Sequence, residues 1–325
     1  MDLILLAPRA ELLAAAVALD FVFGDPVYRW HPIRLIGATL AWWDVRLRGA
    51  GADGRIGGCL LFLALAVPWA GGLSVLVLSL QRTHPWASTA LHLFALYSLI
   101  ALGDLLKHGR EVDRAATKGD LPAARAGIVK LVGRDADRMD AAACRRAAIE
   151  SMSENLVDGF VSPIFWYVLL GLPGIVLFKV VSTMDSMVGY KTPKYLKFGW
   201  CGARLDDLMN LVPARLTWLL IALVAAFVPS ASARKALAVG WRQHAVVPGP
   251  NAGWSEAAIA GALQRRLVGP IWWRGRLVTD VWLGDAGDSP ANSAGDFRRA
   301  EIVICWTAAA VAGASTALLL LVTFR

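Results

Sequence analysis

The stretch RRAAIESMSENLVDGFVSPIFWY at 145–167, with MDSMVGYKTPKYLKFGWCGARLDDLMNLVPAR following at 184–215, sets acidic and amide side chains directly against apolar segments. Four side chains recur at four-residue spacing and so share one ridge of a helix: Arg146, Glu150, Glu154 and Asp158. Stacked carboxylates repel one another by about 0.2–0.5 kcal/mol per pair, so we expect a magnesium ion or a basic loop to face them. The alternative is a solvated face relieved by Arg146. Because the ridge runs into an apolar segment, where ionisable groups are costly, its position favours a functional role.

The composition is that of a membrane protein. Of the 325 residues, 57% are hydrophobic and only 18% are charged, and the mean hydropathy is +0.52. The four cysteines are widely scattered, which argues against a zinc site, a redox motif or a disulfide framework. The net charge of +8 is spread over several loops instead of forming one aromatic-rich patch, so we predict no nucleic-acid partner.

Apolar runs long enough to cross a bilayer lie at 58–80, 86–106, 208–228 and 302–324, with weaker candidates at 3–23 and 160–181. We therefore predict an all-α, multi-pass integral membrane protein with four to six membrane segments. If all six span, 24 of the 33 Lys and Arg lie on one side, in 24–57, 107–159 and 230–300. That side is then the cytoplasm and the membrane is the inner (cytoplasmic) membrane. Segment 3–23 lacks the flanks of a cleaved signal peptide and is expected to stay as an anchor or entry helix.

The apolar segment 160–181 is interrupted by Pro163, Gly171, Pro173 and Gly174. These breaks predict two half-helices that meet at a turn. A simple span would carry the motif at 184–215 across the membrane from Glu154, whereas a re-entrant hairpin would return it to the same side. We favour a broken or re-entrant element, although a later span then conflicts with the charge count of 230–300.

The chain is expected to form a single membrane-embedded domain over 1–325. Within it we predict a soluble amphipathic helical insert at 107–159 and broken membrane segments with the core motifs at 160–229. A cytoplasmic loop region at 230–300 and a C-terminal anchor helix at 301–325 complete the chain. In the insert, Asp120 with Pro122 marks one helix start and 133–135 marks another.

Three further stretches carry polar groups at element ends. The loop GDPVYRWHPIRLIG at 24–37 reads as an ordered turn, in which His31 is a candidate ligand or simply a turn-forming residue. Asp206 and Asn210 share a helix face just before an apolar run, which is typical of a capped and kinked membrane entry. In VVPGPNAGWSEAAIAGAL at 246–263, Asn251 or Ser255 caps a helix whose start either binds phosphate or is an ordinary capped loop.

Several catalytic motifs are absent from the sequence. Gly189 and Lys191 in VGYKT lack the preceding glycine of a P-loop, so any nucleotide would be held in another way. A nucleophile elbow, an H-E-x-x-H motif and a dinucleotide fingerprint are also missing. Asp158 and Gly159 are not followed by the paired aspartates of membrane alcohol phosphotransferases. Neither the hydropathy nor the motifs repeat as they would in the two halves of a transporter.

Four blocks, in order, resemble the membrane-bound adenosylcobinamide-phosphate synthase (CbiB/CobD) family of cobalamin biosynthesis. They are DFVFGDPVYRWHPIRLIG, ESMSENLVDGFVSPIFWY, MDSMVGYKTPKYLKFGWCGARLDDLMNLVPARLT and PNAGWSEAAIAGAL. The resemblance runs nearly end to end. Ser182 stands where the family usually has Asn, which would alter one polar contact. Trp272 and Trp273 replace an expected tyrosine pair, which would alter packing or stacking.

The resemblance implies an ATP-dependent amide ligation. Adenosylcobyric acid would be joined to (R)-1-aminopropan-2-ol or its O-phosphate through an acyl phosphate, giving adenosylcobinamide or its phosphate. ATP and Mg²⁺ are implied, and the corrinoid is a substrate, so no tightly bound organic cofactor is expected. The lipid bilayer and other late cobalamin-assembly enzymes are the further partners considered. Two other function classes stay open, a non-catalytic corrinoid-binding membrane scaffold and a small-solute transporter.

The family resemblance also suggests roles for individual residues. The candidate catalytic residues are Glu150, Glu154, Asp158, Asp185 and Lys191. The candidate metal ligands are Glu154, Asp185, Asp206 and Asp207, since Mg²⁺ prefers oxygen ligands. The candidate substrate-binding residues are Asp25, His31, Arg34, Asn155, Tyr190, Arg204, Asn210, Arg215, Asn251 and Trp254. Among the cations, Lys191, Arg204 and Arg215 would contact phosphates.

Overall fold

The computed structural model describes residues 6–25 and 28–323. Its first helices are α1 (Ala10–Phe23), α2 (Pro32–Gly49), α3 (Arg55–Ala66), α4 (Leu73–Thr83), α5 (Pro85–Ser98), α6 (Gly103–Thr117) and α7 (Leu121–Ile128). They are followed by α8 (Ala141–Leu156), α9 (Ser162–Val188), α10 (Trp200–Met209), α11 (Leu211–Ala225), α12 (Ala233–Gln243), α13 (Ala252–Leu263) and α14 (Ala294–Thr323). Shorter elements are π-helical turns at Val67–Gly72 and Val157–Val161, a 3₁₀ turn at Ala136–Arg138, and the strands β1 (Leu267–Trp273) and β2 (Arg276–Leu283).

Four helical runs are long and apolar enough to cross a membrane: Arg55–Thr83, Pro85–Thr117, Ala141–Val188 and Ala294–Val322. A broken pair, Trp200–Met209 with Leu211–Ala225, makes a fifth if it is counted as one span. This confirms the predicted all-α, multi-pass membrane architecture. Helix α1 has 14 residues, which is shorter than the roughly 20 that a span needs. Residues 3–5 of the predicted entry helix lie outside the described residues.

The described residues fold into two compact units, each assembled from separate stretches of the chain. Unit 1 takes the described parts of Met1–Ala101, Ser162–Asn210 and Ala312–Arg325, and unit 2 takes Leu102–Val161 and Leu211–Val311. The predicted single domain with segments 107–159, 160–229, 230–300 and 301–325 stays a prediction.

The core of unit 1 is built where α9 packs against α2 and α3. Fully buried side chains from all three helices meet there: Ile36, Leu40, Leu61, Leu65, Val180, Met184 and Val188, with Phe198 from the following loop. In segments that cross a bilayer, such contacts stabilise the fold through van der Waals packing, since lipid is as apolar as these side chains. This packing fixes the C-terminal half of α9, which carries Asp185.

Helix α9 is broken at Gly171, as its glycines and prolines predict. Gly171 has φ of 67°, and a Cβ there would lie 1.9 Å from the backbone oxygen of Leu6. A Cβ on Gly174 would lie only 2.3 Å from the backbone oxygen of Trp166, although a straight helix separates residues eight apart by about 12 Å. The two halves of α9 therefore fold back on each other, which is the geometry expected for a broken or re-entrant element.

Helix α13 forms the centre of unit 2. Apart from Ala252, every residue of its sequence AGWSEAAIAGAL is buried. Small side chains let neighbouring backbones approach closely: a Cβ on Gly253 would lie 2.1 Å from the oxygen of His244, and one on Gly261 would lie 2.3 Å from that of Lys235. Asn251 occupies the N-cap position, although its side chain makes no capping hydrogen bond.

The insert contains one predicted helix start and corrects another. Asp120 accepts a hydrogen bond from the Ala123 backbone at 3.0 Å and caps α7, as predicted. The start predicted at 133–135 opens only the 3₁₀ turn Ala136–Arg138, with Asp135 at its N-cap position, whereas α8 is capped by Asp140, which accepts from the Ala143 backbone at 2.6 Å. Residues 133–135 precede that turn, and Arg134 reaches an α8 side chain from there.

A two-stranded antiparallel sheet, β1 with β2, interrupts the otherwise helical chain. Asp135 anchors its turn, since its carboxylate accepts hydrogen bonds from the backbones of Arg274 (2.9 Å) and Gly275 (2.7 Å). The two tryptophans of β1 stack with arginines: Arg138 lies 4.2 Å from the Trp272 ring and Arg274 lies 4.4 Å from the Trp273 ring. This hairpin is not among the elements predicted from the sequence.

Candidate functional site

In unit 1, close packing of α10 on α9 brings together three predicted metal ligands. A Cβ on Gly199 would lie 1.8 Å from the backbone oxygen of Val188, and one on Gly202 would lie 2.8 Å from the Cβ of Met184. Only glycine permits such an approach. As a result the carboxylates of Asp185 and Asp207 act electrostatically on Asp206.

Hydrogen bonds hold Asp206 and the amide that follows it. The Asn210 side chain donates to Asp206 Oδ2 at 3.0 Å, which confirms that the two residues share a helix face. Ser162 Oγ in turn donates to Asn210 Oδ1 at 2.5 Å, and both Ser162 and Asn210 are buried. The carboxylate is thereby oriented by a second layer of polar groups, an arrangement that metal-binding carboxylates commonly show.

Two cations act on this carboxylate cluster, and a third cation, Lys191, lies on the loop that follows α9. Lys179 is buried and acts electrostatically on Asp206, and Arg204 pairs with Asp207 at 3.3 Å on the surface. Lys191 and Tyr190 lie exposed on the loop after α9, and no ion pair of Lys191 is found within residues 6–25 and 28–323. These side chains are therefore available to a ligand that carries negative charge.

The unit 1 cluster fits a magnesium ion only if part of its coordination comes from elsewhere. In the described part of the chain, no three His, Cys, Asp or Glu side chains are close enough to hold a metal ion together. In nucleotide sites, however, Mg²⁺ is usually bound through one or two carboxylates, with phosphates and water supplying the other ligands. Asp185 and Asp206 fit that mode. Glu154, the fourth predicted metal ligand, belongs to unit 2.

In unit 2, a basic loop faces the α8 ridge. A magnesium ion or such a loop was expected there. Arg134 forms an ion pair with Glu150, and both side chains are largely buried. The solvated-face alternative is wrong for Glu150, which is 5% exposed. Arg146 instead donates to Asn292 Oδ1 at 2.5 Å and stacks on the Trp282 ring.

The ridge ends earlier than its spacing predicts. Helix α8 stops at Leu156, and Asp158 lies in the π-helical turn Val157–Val161, where the wider repeat turns side chains away from the four-residue ridge. Glu154, Asn155 and Asp158 are half-buried, and the Asn155 side chain donates to the Ser151 backbone at 2.9 Å. The accessible part of the ridge is therefore its C-terminal end.

Glu256 of α13 is a candidate that the sequence analysis missed. Its side chain is 4% exposed, and it faces Glu150 and Glu154 of α8 together with Arg134. Burial raises the pKa of Glu256 well above the usual glutamate value, the two neighbouring carboxylates raise it further, and Arg134 lowers it. A single acid inside a helix of small apolar residues is the signal that could have identified it.

An aromatic cluster lies at the start of α13. Trp254 is buried and stacks on the His244 ring, with 3.9 Å between the two centroids. The Trp218 ring centroid lies 4.8 Å from that of Trp254. The Arg215 guanidinium lies 4.9 Å from the Trp254 ring. Trp241, the outer member of the cluster, is 64% exposed. The predicted binding residues Arg215, Asn251 and Trp254 thus lie in one unit and around one helix end.

The predicted ligands of the first loop lie in unit 1 and interact mainly with each other. His31 Nδ1 accepts from the Ile33 backbone at 3.3 Å and caps α2, while His31 Nε2 lies 2.6 Å from Asp25 Oδ1. His31 is buried, whereas Arg34 is exposed on α2. This arrangement supports the turn-forming interpretation of His31 and leaves Arg34 as the accessible cation.

Comparison with known proteins gives a consistent result. The family model described as CobD/Cbib protein matches residues 13–304. The chain is 39% identical to "Cobalamin biosynthesis protein CobD" of Citrobacter koseri, over 90% of this chain and 92% of that protein. It is 38% identical to "Cobalamin biosynthesis protein CbiB" of Salmonella typhi, over 93% and 95%, and 38% identical to CobD of Rhodobacter capsulatus, over 86% and 88%. No solved structure matches the chain.

Proposed function

The chain belongs to the CobD/CbiB family, and from this membership we propose that it acts in cobalamin biosynthesis as an ATP-dependent amide ligase of the inner membrane. Its substrates would be adenosylcobyric acid and (R)-1-aminopropan-2-ol or the O-phosphate of that amino alcohol. The product is adenosylcobinamide or its phosphate. The chain covers more than nine tenths of the length of its Citrobacter and Salmonella relatives, which supports a complete shared activity.

The chemistry has two steps. A carboxylate is a poor electrophile, so one oxygen of the corrinoid's free propionate attacks the γ-phosphorus of ATP, and ADP leaves with the bridging oxygen. The amine then gives up its ammonium proton to solvent, and its neutral nitrogen attacks the acyl carbon. The amide C–N bond forms as the acyl C–O bond to phosphate breaks, and the nitrogen's second proton leaves with inorganic phosphate. The first step needs cations that offset phosphoryl charge, and the second needs a site that receives the amine.

The observation that carries the proposal is the carboxylate cluster of α9 and α10 with its surrounding cations. When bound, Mg²⁺ neutralises the negative charge on the phosphates of ATP, and Asp185 and Asp206 would hold it. Lys191 and Arg204 reach into solvent on the same unit and would bind the phosphates. Asp207 holds Arg204 at 3.3 Å and so orients one of these cations.

The aromatic cluster of unit 2 supports a role in binding a large planar substrate. Trp241 offers an exposed indole face beside Trp254, and Arg215 adds a positive charge against the same ring system. Aromatic faces and guanidinium groups bind conjugated rings by stacking. The corrinoid and the adenine base are the two conjugated groups among the substrates.

An assay of the purified protein in detergent tests the proposal. Adenosylcobyric acid, the amino alcohol or its phosphate, ATP and Mg²⁺ are expected to give the amide product, detected by mass spectrometry. Product formed without ATP would overturn the acyl-phosphate route. Corrinoid binding without any product would favour the scaffold, and flux of a solute into proteoliposomes without product would favour the transporter.

A further inference from the structure

Glu256 is a buried carboxylate aimed at the α8 ridge from a different helix. It is 4% exposed, and its Oε2 atom has no hydrogen-bond partner among the described residues. The groups that act on it are two carboxylates, Glu150 and Glu154, and one guanidinium, Arg134. The Oε2 atom of Glu150 is likewise buried without a hydrogen-bond partner in the described part of the chain. Two carboxylate oxygens from two helices therefore point into the same interior region without a donor.

The charges of this cluster do not balance when all of its groups are ionised. Arg134 already pairs with Glu150, so that pair is neutral, and Glu256 keeps its negative charge. A buried carboxylate without a partner is costly, and such groups bind a proton, a metal ion or another cation. The cluster is not sealed, because Glu154 and Asp158 at the C-terminal end of the ridge are half-buried. Glu154, which acts on Glu256, is therefore the part of the cluster that solvent reaches.

The cluster suits a monovalent cation better than a metal ion. A divalent ion would be repelled by Arg134, which lies inside the cluster, and no three acidic or imidazole side chains of the described residues come close enough to share one. An ammonium group carries one charge and three N–H donors, and it is held at hydrogen-bond distances of about 2.7–2.9 Å instead of the roughly 2.1 Å of Mg²⁺. Glu256 lacks a balancing positive charge, and the Oε2 atoms of Glu256 and Glu150 both lack a hydrogen-bond donor among the described residues.

We propose that Glu256 and Glu150 form the subsite that binds the ammonium group of the amino-alcohol substrate. The identity of that substrate rests on the proposed function. Each carboxylate accepts an N–H of the ammonium group, Glu256 supplies the balancing charge, and Arg134 holds Glu150 in position. The amine is thereby taken from water into the interior of unit 2.

Isothermal titration of the full-length protein in detergent measures the binding directly. The probes are 1-aminopropan-2-ol, the neutral isostere propane-1,2-diol and MgCl₂ alone. We expect the amine to bind, the diol not to bind, and Glu256→Gln to weaken amine binding by about 10- to 100-fold, the loss typical of a hydrogen bond to a charged group. Glu111→Gln, a half-buried glutamate of the same unit that pairs with His108 and Lys130, is the matched control and is expected to bind the amine normally.

Unchanged amine affinity in Glu256→Gln would overturn the inference, and so would loss of Mg²⁺ binding with amine binding intact. Glu256→Asp keeps the charge and moves it by one methylene, so it is expected to bind better than Glu256→Gln even if both variants are less stable.

Steady-state kinetics separates this inference from the proposed function. In a ligating protein, Glu256→Gln should raise KM for the amine by about 10- to 100-fold and leave KM for ATP unchanged. Normal ligation with an unchanged KM for the amine defeats the subsite alone. Absence of ATP-dependent amide from the wild type defeats the proposed function, while the titration still decides whether the amine binds.

Discussion

The negative charges of the carboxylates in unit 1 and in unit 2 are stabilised in different ways. Asp207 is half-buried and pairs with the exposed Arg204, and the half-buried Asp206 lies near Lys179, so each charge has a cation beside it. Glu150 and Glu256 are almost wholly buried, and Arg134 acts on both of them, while Arg146 also acts on Glu150. The first arrangement tolerates a hydrated ion and a polyphosphate. The second requires a specific partner of defined charge, so removing Arg134 should have the larger effect.

Replacing Arg134 with Met is expected to have the largest effect on stability. It would leave Glu150 buried without its ion-pair partner, and breaking a buried pair in this way costs about 3–5 kcal/mol. We expect a large fall in apparent Tm in detergent, measured by scanning fluorimetry. Restoration of much of the Tm in the double variant Arg134→Met/Glu150→Met would establish that the pair is the cause. If the Arg134→Met protein is as stable as the wild type, the carboxylates of unit 2 need no specific cation for stability, and the contrast with unit 1 is lost.

Replacing Asp185 with Asn is expected to act on turnover instead. The change keeps shape and hydrogen bonding but removes the charge, so the protein should insert and purify normally. If Asp185 helps to hold Mg²⁺ at a nucleotide site, ATP-dependent amide formation should fall by about 10²-fold or more. Asp53→Asn, an exposed aspartate of the same unit, serves as the control and should retain activity. Near-normal turnover of the double variant Asp185→Asn/Asp206→Asn would exclude this cluster as the metal site.

The close approach of α10 to α9, which brings Asp206 to Asp185, allows a third test. In Gly199→Ala the new methyl group would meet backbone oxygens of Val188 and Tyr195, neither of which can move aside as a side chain can. Overpacking of this kind costs about 1–3 kcal/mol, and α10 should shift away from α9. We expect a lower Tm together with reduced activity. Gly49→Ala, where a Cβ has open space, should change neither quantity.

The pH dependence of stability gives the smallest expected effect. Because the pKa of Glu256 is raised in the folded protein, its contribution to stability is complete below the unfolded pKa of about 4.3 and is lost as the pH rises through the folded pKa. The Tm of Glu256→Gln relative to the wild type should therefore increase between pH 5.5 and pH 8.5 when no amine is present. If the difference in Tm stays constant across that range, the pKa of Glu256 is not raised in the folded protein.

The features that could be predicted from sequence were mainly local. Four-residue spacing correctly placed Asp206 and Asn210 on one helix face, and the glycines and prolines of 160–181 correctly marked the break at Gly171. A magnesium ion or a basic loop was expected opposite the α8 ridge, and Arg134 belongs to such a loop.

The features that could not be predicted depend on contacts between distant parts of the chain. The sequence of α13 shows no amphipathic periodicity, because the helix is buried on all sides. Whether Glu256 comes near Glu150 depends on how α13 packs against α8. The helix start expected at 133–135 gives only the 3₁₀ turn Ala136–Arg138, because the Asp135 carboxylate anchors the β-hairpin, and the longer helix α8 is capped by Asp140. Both misses come from tertiary contacts that override local signals.

The break at Gly171 has a consequence for how the protein is made. The helix continues back to Ala141, but its apolar residues on the two sides of the break, 160–170 and 172–188, are each fewer than the roughly 20 that a span needs. Machinery that recognises nascent spans by length and hydropathy therefore finds no complete span in either half. The hairpin has to be accepted into the bilayer as a unit, with its exposed backbone at the turn covered by neighbouring protein. Membrane insertion and tertiary folding are then one event for this segment, and substitutions near Gly171 would act on biogenesis before they act on catalysis.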